Sequence, residues 1–300
     1  MGLVKDVGTV ARGWRWTHRP LVPRSVPRGP ELVPEHPTDW ARTPAARIAR
    51  ELVHRFALGP LLRHEVDVEV HGLDVLDELE PPVIFVSNHA SHLDAPAILT
   101  SLPPKWRWRT ATGAAADYFF DVWWRAAMTT LVFNAFPVDR RAGRRAARKA
   151  RDLLRDGWNV IVFPEGTRSK DGWVAALRSG AAWMAVETGT PVVPVALSGT
   201  YHAMPRGRGW PASGHLPVSV RFGRPLRPEP EERVLPFHDR IRRELATTLA
   251  EQRGTWWEAI RAAADGTLAD TSGPSAARWR RRWEASASLP QRRPVRLWRG

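Results

Sequence analysis

The stretch Val83–Asp94 reads VIFVSNHASHLD, and the rest of the chain can be arranged around it. Its first five residues are mostly apolar and rich in β-branched side chains, and they follow the Pro81-Pro82 pair. Such a run is typical of a strand that is buried on both faces of a sheet. Asn88 and His89 come next, so we expect His89 at the carboxyl end of that strand, where open α/β sheets bind their ligands.

A carboxylate follows His89 at a spacing that suits a catalytic pair. Asp94 comes five positions later, which is about one and a half helical turns. If the chain turns tightly at Asn88, the Asp94 carboxylate can reach back to the imidazole, fix its tautomer and stabilise its charged form. The sequence therefore predicts His89 as a general base and Asp94 as the acid that orients it.

The composition limits the chemistry. The 300 residues include no cysteine, which rules out a thiol nucleophile, disulfides and zinc–thiolate sites and fits a reducing compartment. A formal charge of +14 favours an anionic partner. Nucleic acid, an anionic membrane surface and a phosphorylated small molecule all satisfy that requirement.

The tryptophans favour a membrane surface among these partners. Many of the 16 tryptophans stand beside arginine, as in Trp14-Arg15-Trp16 and Trp123-Trp124-Arg125. Tryptophan settles at membrane interfaces, where arginine meets lipid phosphate, although core packing also explains buried tryptophans. No run approaches the roughly 18 apolar residues of a membrane span, and the amino terminus lacks the apolar core of a signal peptide. We expect a peripheral protein on the cytoplasmic face of the membrane.

Four segments follow from composition and periodicity. Residues 1–40 are rich in proline and predict an irregular arm, residues 41–60 an amphipathic helix, residues 61–264 the main α/β domain, and residues 265–300 a basic, loosely ordered tail. The helix should begin with Thr43 as N-cap and Pro44 as its first residue, and end at Gly59-Pro60. Its apolar face can pack on the core or lie on lipid, and periodicity does not separate these alternatives.

Within the main domain, buried strands alternate with helices. Strands are predicted at 65–70, 83–87, 106–112, 160–163, 192–197 and 218–222, the last of them at a sheet edge. Helices are predicted at 117–131, from about 140 to 156, at 180–188 and at 237–252. This order predicts an α/β fold with a mostly parallel central sheet that is covered by helices on both faces.

A second polar stretch, Phe163–Ser169 (FPEGTRS), also follows a predicted buried strand. Gly166 lets backbone amides approach an anion, Thr167 offers a hydroxyl, and the planar guanidinium of Arg168 suits a phosphate. Glu165 is unfavourable beside a phosphate unless it binds a hydroxyl or braces an arginine. On this heptad alone, a solvated strand-to-helix turn explains the pattern equally well.

Together, NHASHLD, Phe136–Arg140 (FPVDR), FPEGTRS and Val193–Leu197 (VPVAL) resemble, in this order, the four blocks of the glycerolipid acyltransferase family. The resemblance covers about residues 65–225. It implies that the chain acylates a lysophospholipid, with 1-acyl-glycerol-3-phosphate as the first expectation and another lysolipid or polar acceptor as the alternative. It further implies that the phosphate and glycerol portion of the acceptor is held by Arg140, Glu165, Gly166, Thr167 and Arg168.

The chain departs from the family pattern at three places. The second block usually opens with glycine, where this chain has Asn134. Relatives commonly carry a lysine near 114–117, where this chain has none, and an aromatic-Lys-basic-Gly sequence where it reads Leu177-Arg178-Ser179-Gly180. These differences concern the acceptor side, so they bear on the identity of the acceptor more than on acyl transfer.

The expected reaction needs no covalent enzyme intermediate. His89 takes the proton of the acceptor hydroxyl, and the oxygen attacks the thioester of acyl-CoA or of acyl carrier protein, either of which serves as co-substrate. No cofactor and no metal are expected. The expected partners are the acyl donor, the lysophospholipid and an anionic membrane surface.

Three alternatives belong to other classes. A nucleic-acid-binding protein would explain the charge and the Arg/Trp pattern, but no nucleic-acid-binding motif is recognisable and no nucleic-acid partner is expected. A serine hydrolase could pair Ser87, Ser91 or Ser198 with His89, but no GxSxG elbow exists. A non-catalytic lipid-binding relative is disfavoured because His89 and Asp94 are both present.

Overall fold

A seven-stranded, mostly parallel sheet forms the centre of the molecule. The fold is known from a computed structural model that describes residues 36–138 and 144–274, together with Trp279 and Trp283. The strand order is β1-β7-β6-β2-β5-β3-β4, and every neighbouring pair is parallel except β6 and β7. The strands are Val66–His71 (β1), Ile84–Ser87 (β2), Thr110–Ala115 (β3), Ala135–Val138 (β4), Asn159–Val162 (β5), Val192–Ser198 (β6) and Leu216–Phe222 (β7).

Helices connect the strands and cover the sheet. They are Pro44–Val53 (α1), Gly59–Glu65 (α2), Asp94–Ser101 (α3), Pro104–Arg107 (α4), Ala116–Phe119 (α5), Trp123–Phe133 (α6), Arg144–Arg155 (α7), Gly180–Thr188 (α8), Thr200–Ala203 (α9), Val234–Glu251 (α10) and Trp256–Ala264 (α11). Within the described ranges, none of these helices is both long enough and apolar enough to cross a bilayer.

Two hydrophobic cores lie on opposite faces of the sheet. Strand β2 contributes side chains to both cores because successive side chains point to opposite faces of the sheet. Phe85 lies in one core, and Ile84 and Val86 lie in the other. Helix α3 covers the Phe85 face, and helices α7, α8 and α10 contribute to the opposite core. The predicted α/β fold, with a mostly parallel sheet between layers of helices, is therefore confirmed.

Three predicted elements of the main domain, residues 61–264, differ from the structure. The alternating segment 106–112 is not one strand, because Pro104 opens the short helix α4 and β3 begins only at Thr110. The predicted helix at 117–131 is divided into α5 and α6 by an interruption at 120–122. Strand β7 is not at the edge, because β1 pairs with it in parallel on its outer side.

The first helix continues past the predicted stop at Gly59-Pro60. Thr43 caps it as expected, with its hydroxyl accepting a hydrogen bond from Ala46 N, but the π-helical turn His54–Leu58 joins α1 directly to α2. The N–H of Gly59 bonds to the carbonyl of His54, five residues back. This wider turn accommodates Pro60, whose ring would clash with a carbonyl four residues back in a regular helix.

This helix is amphipathic in the reverse of the usual sense. Arg50 and His54 face the protein, where Arg50 Nε donates to the carbonyl of Leu131 and His54 Nε2 contacts that of Val132. The two carbonyls lie in the last turn of α6, which favours cationic donors. The apolar residues of the helix instead face outward, with 54% of Ile48, 52% of Leu52 and 69% of Phe56 exposed.

The proposed boundaries of the chain segments remain predictions. Residues 1–35 of the proline-rich arm and most of the tail beyond Pro274 lie outside the described residues. The first residues of the tail are described and contact the main domain, since Val174 N donates to the carbonyl of Thr271. Helix α11, which precedes them, was not predicted from periodicity.

Candidate active site

The site is built at the carboxyl ends of β2 and β5. These strands are neighbours in parallel register, with Phe85 opposite Ile161 and Val86 opposite Val162. The NHASHLD and FPEGTRS stretches follow the two strands, so both emerge at the same edge of the sheet. This adjacency brings His89 and the loop of Glu165–Ser169 into contact.

The His89 ring is held by a buried carboxylate. His89 Nδ1 lies 2.8 Å from Asp94 Oδ2, and the Asp94 side chain is fully buried whereas that of His89 is 20% exposed. The same carboxylate oxygen accepts hydrogen bonds from Ala90 N and Ser91 N. An ionised carboxylate requires Nδ1 to donate, which leaves Nε2 with its lone pair in the neutral ring. The contact predicted between His89 and Asp94 is therefore present.

Phe163 fixes the plane of the imidazole. Its ring stacks on that of His89, with centroids 4.1 Å apart and planes inclined by 21°. With one face against Phe163 and Nδ1 on Asp94, the ring has a single defined orientation. The arrangement leaves Nε2 as the nitrogen that can accept a proton.

The backbone of His89 is bonded on both sides to the loop after β5. His89 N donates to Glu165 Oε1, and Ser169 N donates to the His89 carbonyl, each over 2.7 Å. The second oxygen of the buried Glu165 carboxylate accepts from Ala175 N, also over 2.7 Å. Both Glu165 oxygens thus bond to main-chain amides and join three loop segments at the site.

Asn88 extends the sheet with its side chain. Its Oδ1 accepts from Leu197 N at 2.8 Å, and its Nδ2 donates to Leu197 O at 2.9 Å. The buried amide therefore reproduces the donor and acceptor of a backbone peptide and pairs the end of β2 with β6. Because Asn88 directly precedes His89, this pairing also sets where the histidine leaves the sheet.

The turn at Gly166 needs a glycine. Its φ of +72° lies in the left-handed region, and a Cβ at this position would approach the Arg178 guanidinium to 3.1 Å. Arg178 lies near the turn because its backbone N–H donates a 2.9 Å hydrogen bond to the carbonyl of Pro164. The Thr167 side chain is exposed at the same loop, beside Arg168.

A second histidine lies next to the pair. His92 Nε2 is 3.0 Å from the hydroxyl of Tyr118, and the Arg168 guanidinium lies over the Tyr118 ring at 6.0 Å. Burial lowers the pKa of His92 to about 4, and the positive charge of Arg168 acts in the same direction. His92 is therefore neutral near pH 7 and can share a hydrogen bond with Tyr118.

The structure brings together most of the residues singled out in the sequence. His89, Asp94, Glu165, Gly166, Thr167 and Arg168 lie at one edge of the sheet, whereas Arg140 lies outside the described residues. Sequence reasoning assigned no role to Phe163, Tyr118 or Arg178. In the sequence, Phe163 is only the last residue of a predicted strand, and Arg178 is only a departure from the family pattern.

The sequence profile of the Acyltransferase family matches residues 67–198, the segment that contains β1 to β6 and the whole site. Over this segment the chain is similar to the glycerolipid acyltransferase family. Two chloroplastic 1-acyl-sn-glycerol-3-phosphate acyltransferases, BAT2 of Brassica napus and LPAT1 of Arabidopsis thaliana, are each 35% identical to this chain, over 139 and 140 residues respectively.

A solved structure of the family shares the architecture. It is the 1-acyl-sn-glycerophosphate (LPA) acyltransferase PlsC from Thermotoga maritima, with a TM-score of 0.57, 26% identity, and coverage of 74% of this chain and 85% of that one. The alignments with the plant relatives are shorter, covering 46% and 47% of this chain and 39% and 38% of the relatives. The chain therefore matches about two fifths of the length of these plant relatives.

Proposed function

We propose that the protein transfers a fatty acyl group from acyl-CoA or acyl carrier protein to the hydroxyl of a lysophospholipid, in the first place 1-acyl-glycerol-3-phosphate. The observation that carries this proposal is the 2.8 Å contact between His89 Nδ1 and the fully buried Asp94, with Nε2 left to face a substrate. The names of the plant relatives and of the Thermotoga maritima structure support the same reaction.

His89 acts as a general base in this mechanism. Nε2 takes the proton as the acceptor oxygen attacks the thioester carbonyl carbon, and Asp94 stabilises the imidazolium that forms. The tetrahedral intermediate then collapses with cleavage of the C–S bond, and the imidazolium returns its proton to the departing thiolate. The ring need not reorient between these steps, because Phe163 and Asp94 hold it in one position.

The loop after β5 holds the acceptor. Arg168 and the exposed Thr167 supply a cation and a hydroxyl for the phosphate and glycerol portion, and Arg178 adds a second guanidinium beside Gly166. Arg140 is proposed to take part, on the strength of its sequence block alone. Glu165 serves this site through the backbone, since its two oxygens bond to the amides of His89 and Ala175.

The outward face of α1 and of the π turn that follows it supports attachment of the protein to the membrane that holds its proposed substrate. Ile48, Leu52 and Phe56 are spaced by four residues, so their exposed side chains form one apolar row. Trp123 and Met128 are also exposed on α6, the helix to which Arg50 and His54 bond. A row of this kind beside basic residues suits peripheral attachment to an anionic surface, here the cytoplasmic face of the membrane.

The decisive experiment combines the purified protein with acyl-CoA or acyl carrier protein and a panel of lysolipids, and identifies products by mass spectrometry. We expect acylation of 1-acyl-glycerol-3-phosphate, reduced about a thousandfold or more by His89→Ala and unchanged by His64→Ala, whose side chain is exposed. Acylation by His89→Ala at a near wild-type rate would contradict the mechanism. Arg168→Ala should chiefly raise KM for the acceptor, and a change confined to the donor KM would contradict the assignment of this loop.

A further inference from the structure

A small aromatic cluster lies beside the proposed catalytic pair. It consists of His92, Tyr118 and Phe119, and the mechanism proposed above uses none of them. Tyr118 and Phe119 belong to α5, which follows the carboxyl end of β3. Strand β3 pairs in parallel with β5 on the side away from β2, so the cluster emerges at the same edge of the sheet as the site.

The ring of Tyr118 is held in one position. Its hydroxyl lies 3.0 Å from His92 Nε2, and the ring of Phe119 meets it edge to face with centroids 4.6 Å apart. The backbone of this short helix is anchored as well. Arg125 Nη1 donates to the carbonyl of Tyr118 over 3.1 Å and pairs with the carboxylate of Asp121. Tyr118 is therefore fixed through its hydroxyl, its ring and its main chain.

Arg168 extends from the loop after β5 to this ring. Its guanidinium carbon lies over the ring of Tyr118, 6.0 Å from the centroid. The negative face of an aromatic ring attracts a cation, and the attraction grows as the pair leaves water; both side chains here are partly buried. Contact with a ring face uses none of the N–H donors of a guanidinium, so it leaves them available for anionic oxygens.

An arginine that is held in place before its ligand arrives binds that ligand more tightly. The long side chain has many rotamers in solution, and fixing one of them on a phosphate costs conformational entropy. When a neighbouring ring already limits the side chain, less of this entropy is lost on binding, and the affinity rises. The contact between Tyr118 and Arg168 has this consequence for any phosphate that Arg168 binds.

We propose that Tyr118 is a positioning residue, whose ring presents the guanidinium of Arg168 to the phosphate of the acceptor. The inference rests on the proposed function, in which the loop after β5 holds the acceptor. It adds to acceptor recognition a residue from α5, a different part of the chain. Tyr118 acts through Arg168 and does not itself need to contact the acceptor.

Steady-state kinetics with varied 1-acyl-glycerol-3-phosphate tests this role. Tyr118→Leu removes the ring and should raise acceptor KM about five- to tenfold, with kcat and donor KM changed by less than about twofold. Tyr118→Phe keeps the ring that contacts Arg168 and should raise acceptor KM by about twofold or less. Trp256→Leu removes an exposed ring on α11 and should change none of these constants.

Two results of these measurements would overturn the proposal. If Tyr118→Phe raises acceptor KM as much as Tyr118→Leu does, the hydroxyl rather than the ring governs binding. If Tyr118→Leu lowers kcat and leaves acceptor KM unchanged, the residue serves the reaction or the fold rather than the acceptor. Thermal unfolding of each variant shows whether the fold is retained, and Tyr118→Phe preserves the packing of the ring.

A double-mutant cycle shows whether Tyr118 acts through Arg168. Arg168→Ala should raise acceptor KM by itself. In that background Tyr118→Leu should add less than about twofold, because no guanidinium is left for the ring to position. If the two single effects multiply in full, Tyr118 acts independently of Arg168, and the proposal is overturned.

Titration calorimetry with glycerol 3-phosphate separates this inference from the proposed function, because it measures binding without an acyl donor. If the protein does not acylate 1-acyl-glycerol-3-phosphate but the same cycle shows coupling in the affinity for glycerol 3-phosphate, the proposed reaction is wrong and the positioning role stands. If acylation occurs and Arg168→Ala raises acceptor KM while Tyr118→Leu does not, only the positioning role is wrong. If Arg168→Ala changes neither acceptor KM nor this affinity, the assignment of the loop and the positioning role are both wrong.

Discussion

The backbone N–H of His89 donates a 2.7 Å hydrogen bond to Oε1 of Glu165, 76 positions later in the chain. The bond links the ends of the neighbouring strands β2 and β5, and a second bond from Ser169 N to the carbonyl of His89 completes the link. The position of the proposed base thus depends on the loop that is proposed to hold the acceptor.

Glu165→Gln tests whether this link matters for catalysis. Both carboxylate oxygens accept from amides, and a glutamine amide can accept through only one of its atoms, so one of the His89 and Ala175 bonds is lost. We expect kcat to fall about ten- to a hundredfold with little change in acceptor KM, since displacement of a base by a fraction of an ångström impairs reaction more than binding. Steady-state kinetics with varied acceptor measures the two constants.

The result separates two roles for Glu165. If its carboxylate contacts the acceptor directly, the variant should raise acceptor KM while kcat stays close to wild type. Ser179→Ala provides a control in the same region of the chain and should change neither constant. A rise in KM alone would therefore contradict the positioning role.

Much of the fold follows from local sequence. The apolar runs at β2, β5 and β6 predict buried strands because both of their faces are covered, and the alternation at β1 predicts a half-exposed strand. The contact between His89 and Asp94 was also predictable, because the two residues lie only five positions apart on a turn into a helix. Local spacing and strand ends carry this information.

The errors have a common cause in distant contacts. The alternation of Trp106-Arg107-Trp108-Arg109 imitates a strand, but the prolines before it start a helical turn and Arg107 pairs with Glu51 on the first helix. The helix did not stop at Gly59-Pro60 because a π turn absorbs the proline while Arg50 and His54 bond to the end of α6. The stack of Phe163 on His89 depends likewise on the pairing of β2 with β5, which no local pattern specifies.

Asn88→Ala should destabilise the fold because it removes the hydrogen-bond partners of two buried backbone groups of Leu197. The substitution leaves Leu197 N–H and Leu197 C=O without the side-chain partner that they now have. Each unsatisfied buried group costs about 1–3 kcal/mol, so we expect the free energy of unfolding to fall by about 2–4 kcal/mol. Urea denaturation measures this change. The control is Ser198→Ala, at an exposed position of β6 next to Leu197. A loss no larger than that of the control would contradict the pairing.

Leu52→Glu combined with Phe56→Glu tests the membrane-facing role of α1 and the π turn that follows it. Both side chains are more than half exposed, so the fold should tolerate the change, whereas two carboxylates oppose contact with acyl chains and anionic headgroups. We expect the double variant to lose most sedimentation with anionic vesicles. Wild-type sedimentation should weaken as salt rises, since salt screens the charged part of the interaction.

Leu235→Glu is the matched control for the single variant Phe56→Glu, because each of the two introduces one carboxylate. Its side chain is 68% exposed on α10, so it changes an equally exposed apolar position away from α1. Equal loss of vesicle binding in both variants would show that net charge rather than the apolar row governs attachment. Sedimentation that depends on neither charge nor salt would point to a different anchor.

Acidification should destabilise the protein through the histidines whose pKa values the fold lowers. Burial lowers the pKa of His92 to about 4, whereas an unfolded histidine titrates near 6.5, so between these values the unfolded chain binds a proton that the folded protein does not. The free energy of unfolding therefore falls as the pH falls from about 6.5 to 4, by at most about 1.4 kcal/mol per pH unit for each such group. The lowered pKa values of His54 and His238 act in the same direction.

His92→Phe isolates one histidine from this sum. Phenylalanine retains a ring beside Tyr118 and Phe119 but cannot take up a proton. The unfolding free energy of the His92→Phe variant should therefore depend less steeply on pH between 6.5 and 5 than that of wild type. Urea denaturation at a series of pH values measures the slopes for wild type, His92→Phe and the exposed-site control His64→Phe. Parallel curves for wild type and His92→Phe would show that His92 takes up its proton equally in both states. That result would remove the argument that a neutral His92 shares a hydrogen bond with the Tyr118 hydroxyl beside the proposed base.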